Sequence, residues 1–276
     1  MRRKPFLKWA GGKYRILGKI LQELPGASRF VEPFAGSCAV YLNVAATRAL
    51  VCDANADLIS LYRHIQREGE KFILYCQSFF APENNAKERY LELRRDFNAC
   101  RNQRRRAALL LYLNRHSFNG LVRYNAKGAF NVPFGKYKAP YFPMKELRDF
   151  YLKTQEVETR FVCCDFRSVF AELEKGDVVY CDPPYVPLSA TASFTAYAGN
   201  EFSLQDQQDL ARLAEAAQRK GISVILSNHD TDITRNLYVI AKVRLFDVQR
   251  FISCNGANRA AVPELLAVYR PAEAVF

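Results

Sequence analysis

One short stretch constrains this chain more than any other: Asp177-Val178-Val179-Tyr180-Cys181-Asp182-Pro183-Pro184-Tyr185. Its first five residues are a short run rich in β-branched and aromatic side chains, the pattern of a buried strand. The run then stops on an acid, two prolines and a tyrosine. In an open α/β sheet, ligands bind beyond the carboxyl ends of the strands, where Asp182, Pro183, Pro184 and Tyr185 would lie. The prolines fix φ and remove two backbone donors, so this corner is stiff and presents carbonyls. A carboxylate beside such carbonyls can accept both hydrogens of an amino group, and Tyr185 offers a flat face to a ring. Taken alone, the tetrapeptide is equally readable as a plain turn.

The preceding chain bears on that choice. Arg29 to Pro33 reads as a strand, followed by the small-residue turn Phe34-Ala35-Gly36-Ser37-Cys38, with a helix expected from Val40 to Ala46. The turn lacks the three glycines of a dinucleotide site and has no basic neighbour, so it suits a nucleoside-like ligand without pyrophosphate. Ala49 to Asp53 is a second strand, ending on an acid 17 residues after Gly36. An acid there can hold ribose hydroxyls; it can equally cap the next helix. Gly11-Gly12-Lys13 lacks the spacing and the Ser/Thr of a phosphate loop. Arg160 to Cys164 predicts another strand, with Asp165-Phe166 as a polar acceptor and a ring for a cofactor base, or as a helix cap. A helix from Pro143, a capping box at Ser203 and Asp206, a strand from Ile222 to Leu226, and a closing pair at Val243–Phe251 and Glu264–Tyr269 complete the α/β pattern. Leu188 to Asn200 reads as a candidate lid, and His229 as a satisfied loop residue.

Charge separates a middle segment. The net charge is +12 over 276 residues, and residues 86–160 hold 17 Lys and Arg against 7 Asp and Glu. Residues 57–145 read as an inserted helical domain. Its Arg101, Arg104, Arg105 and Arg106 alone would be an ordinary solvated face. From Asn114 to Lys138, however, Arg, Lys, Asn and aromatics alternate along a loop and hairpin, a mixture suited to phosphates, base edges and stacking gaps. The alternative is a helical domain with a poorly packed polar loop. The eight cysteines include no C-x-x-C, and the three histidines have no ligand spacing, so no metal is expected. Thiols in apolar strands fit a reducing cytoplasm. No signal peptide or membrane-spanning run is read.

Cofactor corner, acid on the second strand, basic insert and Asp182-Pro183-Pro184-Tyr185 follow in an order that resembles the alpha group of Dam-type DNA adenine-N6 methyltransferases. Asn131-Val132-Pro133-Phe134-Gly135 and Cys181-Asp182-Pro183-Pro184-Tyr185 are the most specific matches. The resemblance implies a Rossmann-like methyltransferase sheet (1–56 and 146–276) with an inserted, mostly helical DNA-recognition domain (57–145). It implies S-adenosylmethionine as donor, double-stranded DNA with GATC as target, a monomer, and a cytoplasmic enzyme associated with the nucleoid. Trp9, Lys13, Phe34, Gly36, Asp53, Asp165, Phe166 and Asp182 would line the cofactor site, and the corner from Asp182 to Tyr185 would be catalytic. Arg123 would read the outer guanine, beside Leu121, Pro133 and Tyr137, with Lys8 at the other end. Phe118 would fill the gap left by a flipped base; Arg115, Asn119, Asn125, Asn131, Lys136 and Lys138 would hold phosphates. Two departures stand out: Cys38 replaces a usual glycine, and Asn258-Arg259-Ala260-Ala261 is less basic than expected. Rival readings are amino methylation of another base or of RNA, and a DNA-binding relative that has lost catalysis.

Overall fold

A computed structural model describes residues 2–187, 202–249 and 261–271. In chain order the helices and strands are α1 (Leu17–Glu23), β1 (Arg29–Glu32), β2 (Arg48–Asp53), α2 (Ala56–Glu68), α3 (Glu70–Gln77), α4 (Lys87–Ala99) and α5 (Gln103–His116). They continue as α6 (Met144–Glu156), β3 (Glu158–Cys163), α7 (Phe166–Ala171), β4 (Val178–Cys181), α8 (Leu204–Arg219), β5 (Ser223–His229), α9 (Asp232–Leu237), β6 (Lys242–Gln249) and β7 (Ala261–Tyr269). The strands form one seven-stranded sheet ordered β3-β2-β1-β4-β5-β7-β6, a mixed α/β fold. β1 pairs in parallel with both β2 and β4, and β4 with β5. The order therefore reverses between β1 and β4, the switch point at which doubly wound sheets bind ligands. β7 runs antiparallel to both β5 and β6, so this edge departs from the parallel pattern.

The chain divides into two compact units. One comprises Met1–Arg15, Ala35–Val44 and Asp53–Cys163; the other Ile16–Phe34, Ala45–Cys52 and Cys164–Phe276. The first takes in residues 57–145 whole. Its centre is α5, where every residue from Ala107 to Leu113 is buried. A helix apolar on all sides needs neighbours on all sides. Asn102 caps α5 by accepting from the Arg105 N–H at 3.0 Å, and Asn55 caps α2 by accepting from Leu58 at 3.1 Å. A second cluster joins Phe6, edge-on to Phe150 at 5.1 Å, with Tyr62 stacked on Phe150 at 4.9 Å. The arginines of α5 are not a bare cationic face: Arg104 pairs with Glu68, Arg105 with Asp96 and Arg106 with Asp57.

In the second unit β1 and β4 are buried along their whole length, as parallel central strands require. Ser203 and Asp206 form the expected capping box of α8, and Gly221, at φ 81°, ends the chain's passage out of that helix.

Three sequence expectations shift. Val40 to Ala46 makes only a 3-10 turn at Tyr41–Asn43, because Val44 is already extended. Pro143 is the N-cap of α6 rather than its first residue. The strand expected to stop at Leu226 continues through Ser227, Asn228 and His229, all buried. The candidate lid at Leu188 to Asn200 and residues 258–260 lie outside the described residues.

Candidate active site

β4 delivers Asp182, Pro183, Pro184 and Tyr185 at its carboxyl end, beside the end of β1. Asp182 and Tyr185 are half-buried, Pro183 is buried and Pro184 exposed. Burial pushes the Tyr185 hydroxyl well above its ordinary pKa, and the negative charge of Asp182 adds to that. The phenol is thus a neutral donor at any working pH. It donates to Glu264 Oε2 at 3.2 Å, while its ring meets His229 edge-on at 4.8 Å. The main chain on both sides of Tyr185 is fastened from below. Gln207 Nε2 donates to the Pro184 carbonyl at 2.7 Å, and the Val186 N–H donates to Asn228 Oδ1 at 3.0 Å. Glu32, the last residue of β1, is only 2 % exposed. With Asp182 its charge raises the Tyr180 hydroxyl and the Cys181 thiol, after the larger effect of burial.

In the same unit the rings of Phe34 and Phe166 lie 5.4 Å apart, and Phe202 meets Phe34 edge-on at 5.7 Å. Phe34 and Phe166, expected from sequence as cofactor contacts, are brought together; Phe202 was not foreseen. They already touch, so a base would lie on an outer face of the pair rather than between them. Asp165 caps α7, accepting from the Arg167 N–H at 2.9 Å, so the helix begins at Phe166. Its carboxylate also receives the Arg167 guanidinium at 3.2 Å, which is shared with Asp206 and Asp209.

The first unit holds Trp9, Lys13, Gly36 and Asp53. Asp53 Oδ2 accepts from the Gly36 N–H at 3.0 Å and Oδ1 from the Asn55 N–H at 2.9 Å. Burial raises its carboxyl pKa, and these two amides partly offset the rise. Gly36 has φ 45°, and a Cβ there would lie 2.7 Å from Trp9 Nε1. Only glycine fits this approach. The Tyr62 hydroxyl donates to the Gly36 carbonyl, a contact with no sequence signal. Lys13 Nζ donates to the Gly11 carbonyl at 2.6 Å. Within this unit the turn thus offers a backbone cradle without a side chain, a half-buried carboxylate acceptor and the Trp9 ring, a set of groups that fits a ribose-bearing ligand.

Cys38 occupies the turn at φ 60° and is fully buried. A left-handed backbone costs an ordinary residue about 1–2 kcal/mol relative to glycine. We expect Cys38→Gly to be more stable than Cys38→Ala by about 1 kcal/mol, since both lose the thiol and only one relieves the backbone. Chemical denaturation of the pair checks it; equal midpoints would show that the turn is not strained.

The loop after α5 is also in the first unit. Asn114, fully buried, accepts from the Lys8 N–H at 3.0 Å and donates to the carbonyls of Lys8 and Gly120, both at 2.7 Å. Lys8 Nζ rests 3.9 Å above the ring of Tyr137. Phe118 is 50 % exposed at a turn that needs left-handed backbone at Asn119 and Gly120. Arg123 is exposed, and its Nε donates to Asn131 Oδ1 at 2.8 Å. Asn125 Oδ1 accepts from the N–H groups of Lys127 and Ala129 and so shapes the hairpin tip. Leu121 is half-buried, while Pro133, Lys136 and Lys138 are exposed. Arg115 differs from all of these. It is 9 % exposed, lies 5.3 Å from the Tyr141 ring, and its Nε has no hydrogen-bond partner among the described residues. Burial lowers its pKa despite the opposing charge of Glu146. No cluster of metal-ligating side chains occurs among the described residues, and no described helix is long and apolar enough to cross a membrane.

The family model for D12 class N6 adenine-specific DNA methyltransferase matches residues 9–252. DNA adenine methylases from Salmonella typhi and from Vibrio cholerae serotype O1 are each 49 % identical, over 97 % and 98 % of this chain and 96 % and 97 % of their own length. That of Escherichia coli K12 is 47 % identical over 97 % of this chain and 96 % of its own. Among solved structures, the C-terminal domain of precorrin-6Y C5,15-methyltransferase from Rhodobacter capsulatus aligns at a TM-score of 0.40 and 11 % identity, over 98 % of this chain and 96 % of that one. A family match across most of the chain, together with near-complete relatives at almost half identity, settles the assignment: this chain belongs to the D12 class of N6 adenine-specific DNA methyltransferases.

Proposed function

We propose that the chain transfers a methyl group from S-adenosylmethionine to adenine N6 in GATC duplexes, after turning the base out of the helix. The observation that carries the reading is the corner after β4: a carboxylate, a stiff proline pair and a neutral tyrosine at the switch point of the sheet. The N6 lone pair is delocalised into the ring and is a poor nucleophile. Asp182 and the Pro183 carbonyl accept the two amino hydrogens, which localises that pair. The Pro184 carbonyl already accepts from Gln207 at 2.7 Å, which leaves Pro183 as the natural second acceptor. Tyr185 stacks on the extruded ring, worth roughly 1–3 kcal/mol, against an extrusion cost of a few kcal/mol. The bound donor supplies an electrophilic sulfonium methyl.

Trp9, Lys13, Phe34, Gly36, Asp53, Asp165, Phe166 and Asp182 are proposed as its contacts, with Asp53 taking ribose hydroxyls. Residues 57–145 act as the target-recognition domain. Within it Arg123 reads guanine with its two terminal nitrogens, since Nε is held by Asn131. Leu121, Pro133 and Tyr137 lie beside it in that role, and Lys8 contacts the far end of the site. Phe118 fills the vacated stack. Arg115, Asn119, Asn125, Asn131, Lys136 and Lys138 hold phosphates, and Arg115 has the best support because a buried guanidinium wants an anion.

The test is a mixed duplex library incubated with protein and S-adenosylmethionine, with every modified base mapped. Methyl groups at adenine N6 within GATC are expected. Modification centred on another sequence would remove the GATC reading, and modification of cytosine or of RNA alone would remove the adenine chemistry.

A further inference from the structure

The polar residues buried beneath the catalytic corner are more numerous than a sheet end needs. Gln207 on α8 is 3 % exposed and Asn228 on β5 is fully buried. Asn228 Oδ1 accepts from Val186 N–H at 3.0 Å and His229 N–H at 2.9 Å. Those amides can only donate, so the oxygen of Asn228 must face them and its Nδ2 must face away. Nδ2 donates to Gln207 Oε1 at 3.1 Å and to the Tyr238 hydroxyl oxygen at 2.9 Å. That in turn fixes the Gln207 amide, whose Nε2 donates to the Pro184 carbonyl at 2.7 Å. Both amides are therefore locked in one orientation by main-chain groups at each end. His229 Nδ1 adds a hydrogen bond to the Val186 carbonyl at 2.6 Å. As a carbonyl accepts only, Nδ1 carries the proton. Three main-chain groups flanking Tyr185, the Pro184 carbonyl and the N–H and carbonyl of Val186, are thus held by these side chains.

We propose that Gln207 and Asn228 are positioning residues for methyl transfer: their amide pair sets the orientation of the Pro184–Tyr185 peptide and thereby the aim of Asp182 and the Pro183 carbonyl. The inference rests on the reading of that corner given above. Neither residue touches the base. Their effect comes through geometry, and a misplacement of about 1 Å at reacting groups costs on the order of 100-fold in rate.

Gln207→Glu gives a test that separates aim from mere packing. The ionised carboxylate cannot donate to the Pro184 carbonyl. The protonated acid can donate there and still accept from Asn228, so it reproduces the native pattern. Burial favours protonation, which brings that switch within reach of a mild pH range. The measurement is the single-turnover methylation rate of a GATC duplex, taken as a ratio to the unsubstituted protein at each pH. Taking the ratio cancels titration of the neighbours that both share: His229 on β5, Tyr185 and Asp182 at the corner, Glu264 on β7 and Tyr238 after α9. We expect a deficit of about 10- to 100-fold at alkaline pH that closes as the pH falls, with DNA and donor affinities within about 2-fold of the parent throughout. Asn228→Asp should behave alike, because its ionised form turns the Gln207 amide away from Pro184; it serves if the first variant does not fold. A ratio of one at all pH values, or a deficit that is constant with pH, overturns the proposal. Asp182→Ala run in parallel keeps the two readings apart. If it is inactive while Gln207→Glu is normal, only the positioning role fails. If Asp182→Ala is itself active, the underlying reading of the corner fails.

Discussion

Asp182→Ala should lose at least about 100- to 1,000-fold in the single-turnover rate of adenine methylation. The loss should fall on the chemical step. Asp182 is the first residue past β4 and half-buried, and its charge is felt by Tyr180, Cys181 and Tyr185 alike. It therefore acts in a poorly hydrated setting, where a fixed acceptor counts for far more than in water. Duplex affinity should change by less than about 2-fold, because the loop after α5 rather than this carboxylate is proposed to hold DNA. Asp182→Asn keeps one acceptor and the shape, and should retain more activity than the alanine variant. Single-turnover kinetics with saturating donor and duplex measure both. A near-parental rate for Asp182→Ala would remove the carboxylate from the mechanism.

The second large effect concerns Arg115. The buried Arg115 guanidinium, with Nε unpaired among the described residues, costs the free protein stability, because that donor has left water without an acceptor. Arg115→Met should therefore raise the melting midpoint, by an amount on the order of 1–4 kcal/mol of stability. It should also weaken duplex binding by roughly 1.5–3 kcal/mol, about 10- to 100-fold, as a charge-assisted contact is lost. The loss should be the same on every sequence, and the slope of log affinity against log salt should shrink by about one. Melting curves and a salt series of binding isotherms check the pair. A variant that melts lower and binds DNA as before would make Arg115 a structural residue.

These two effects show which parts of the molecule were legible in advance. β1, β2 and β4 are short apolar runs with abrupt polar ends, and a parallel core permits little else. The placement of Asp182 to Tyr185 at the end of β4 and the Gly36–Asp53 contact were readable because each is local or spaced as such folds space them. Gln207 and Asn228 were not: they are 21 residues apart, and only β5 and α8 bring their amides together. Ser227-Asn228-His229 looked like a loop because it is polar. It is a buried strand end whose polar groups are satisfied by the corner it supports. Val40 to Ala46 failed in the opposite sense, with an apolar pattern of helical appearance on a chain already turned by Gly36 and Cys38. The exposure of Phe118 and the burial of Arg115 depend on the conformation of the chain around them, which residue types do not specify.

The ion pairs of α5 carry a lesson for reading such chains by composition. Arg104, Arg105 and Arg106 belong to the most basic segment of the sequence, yet each is matched by an acid within its own unit. A tally of cations along a stretch therefore overstates what a polyanion would meet there. The affinity of this protein for nucleic acid should track a handful of unmatched side chains near the hairpin, and neutralising that trio should disturb folding well before it disturbs DNA capture.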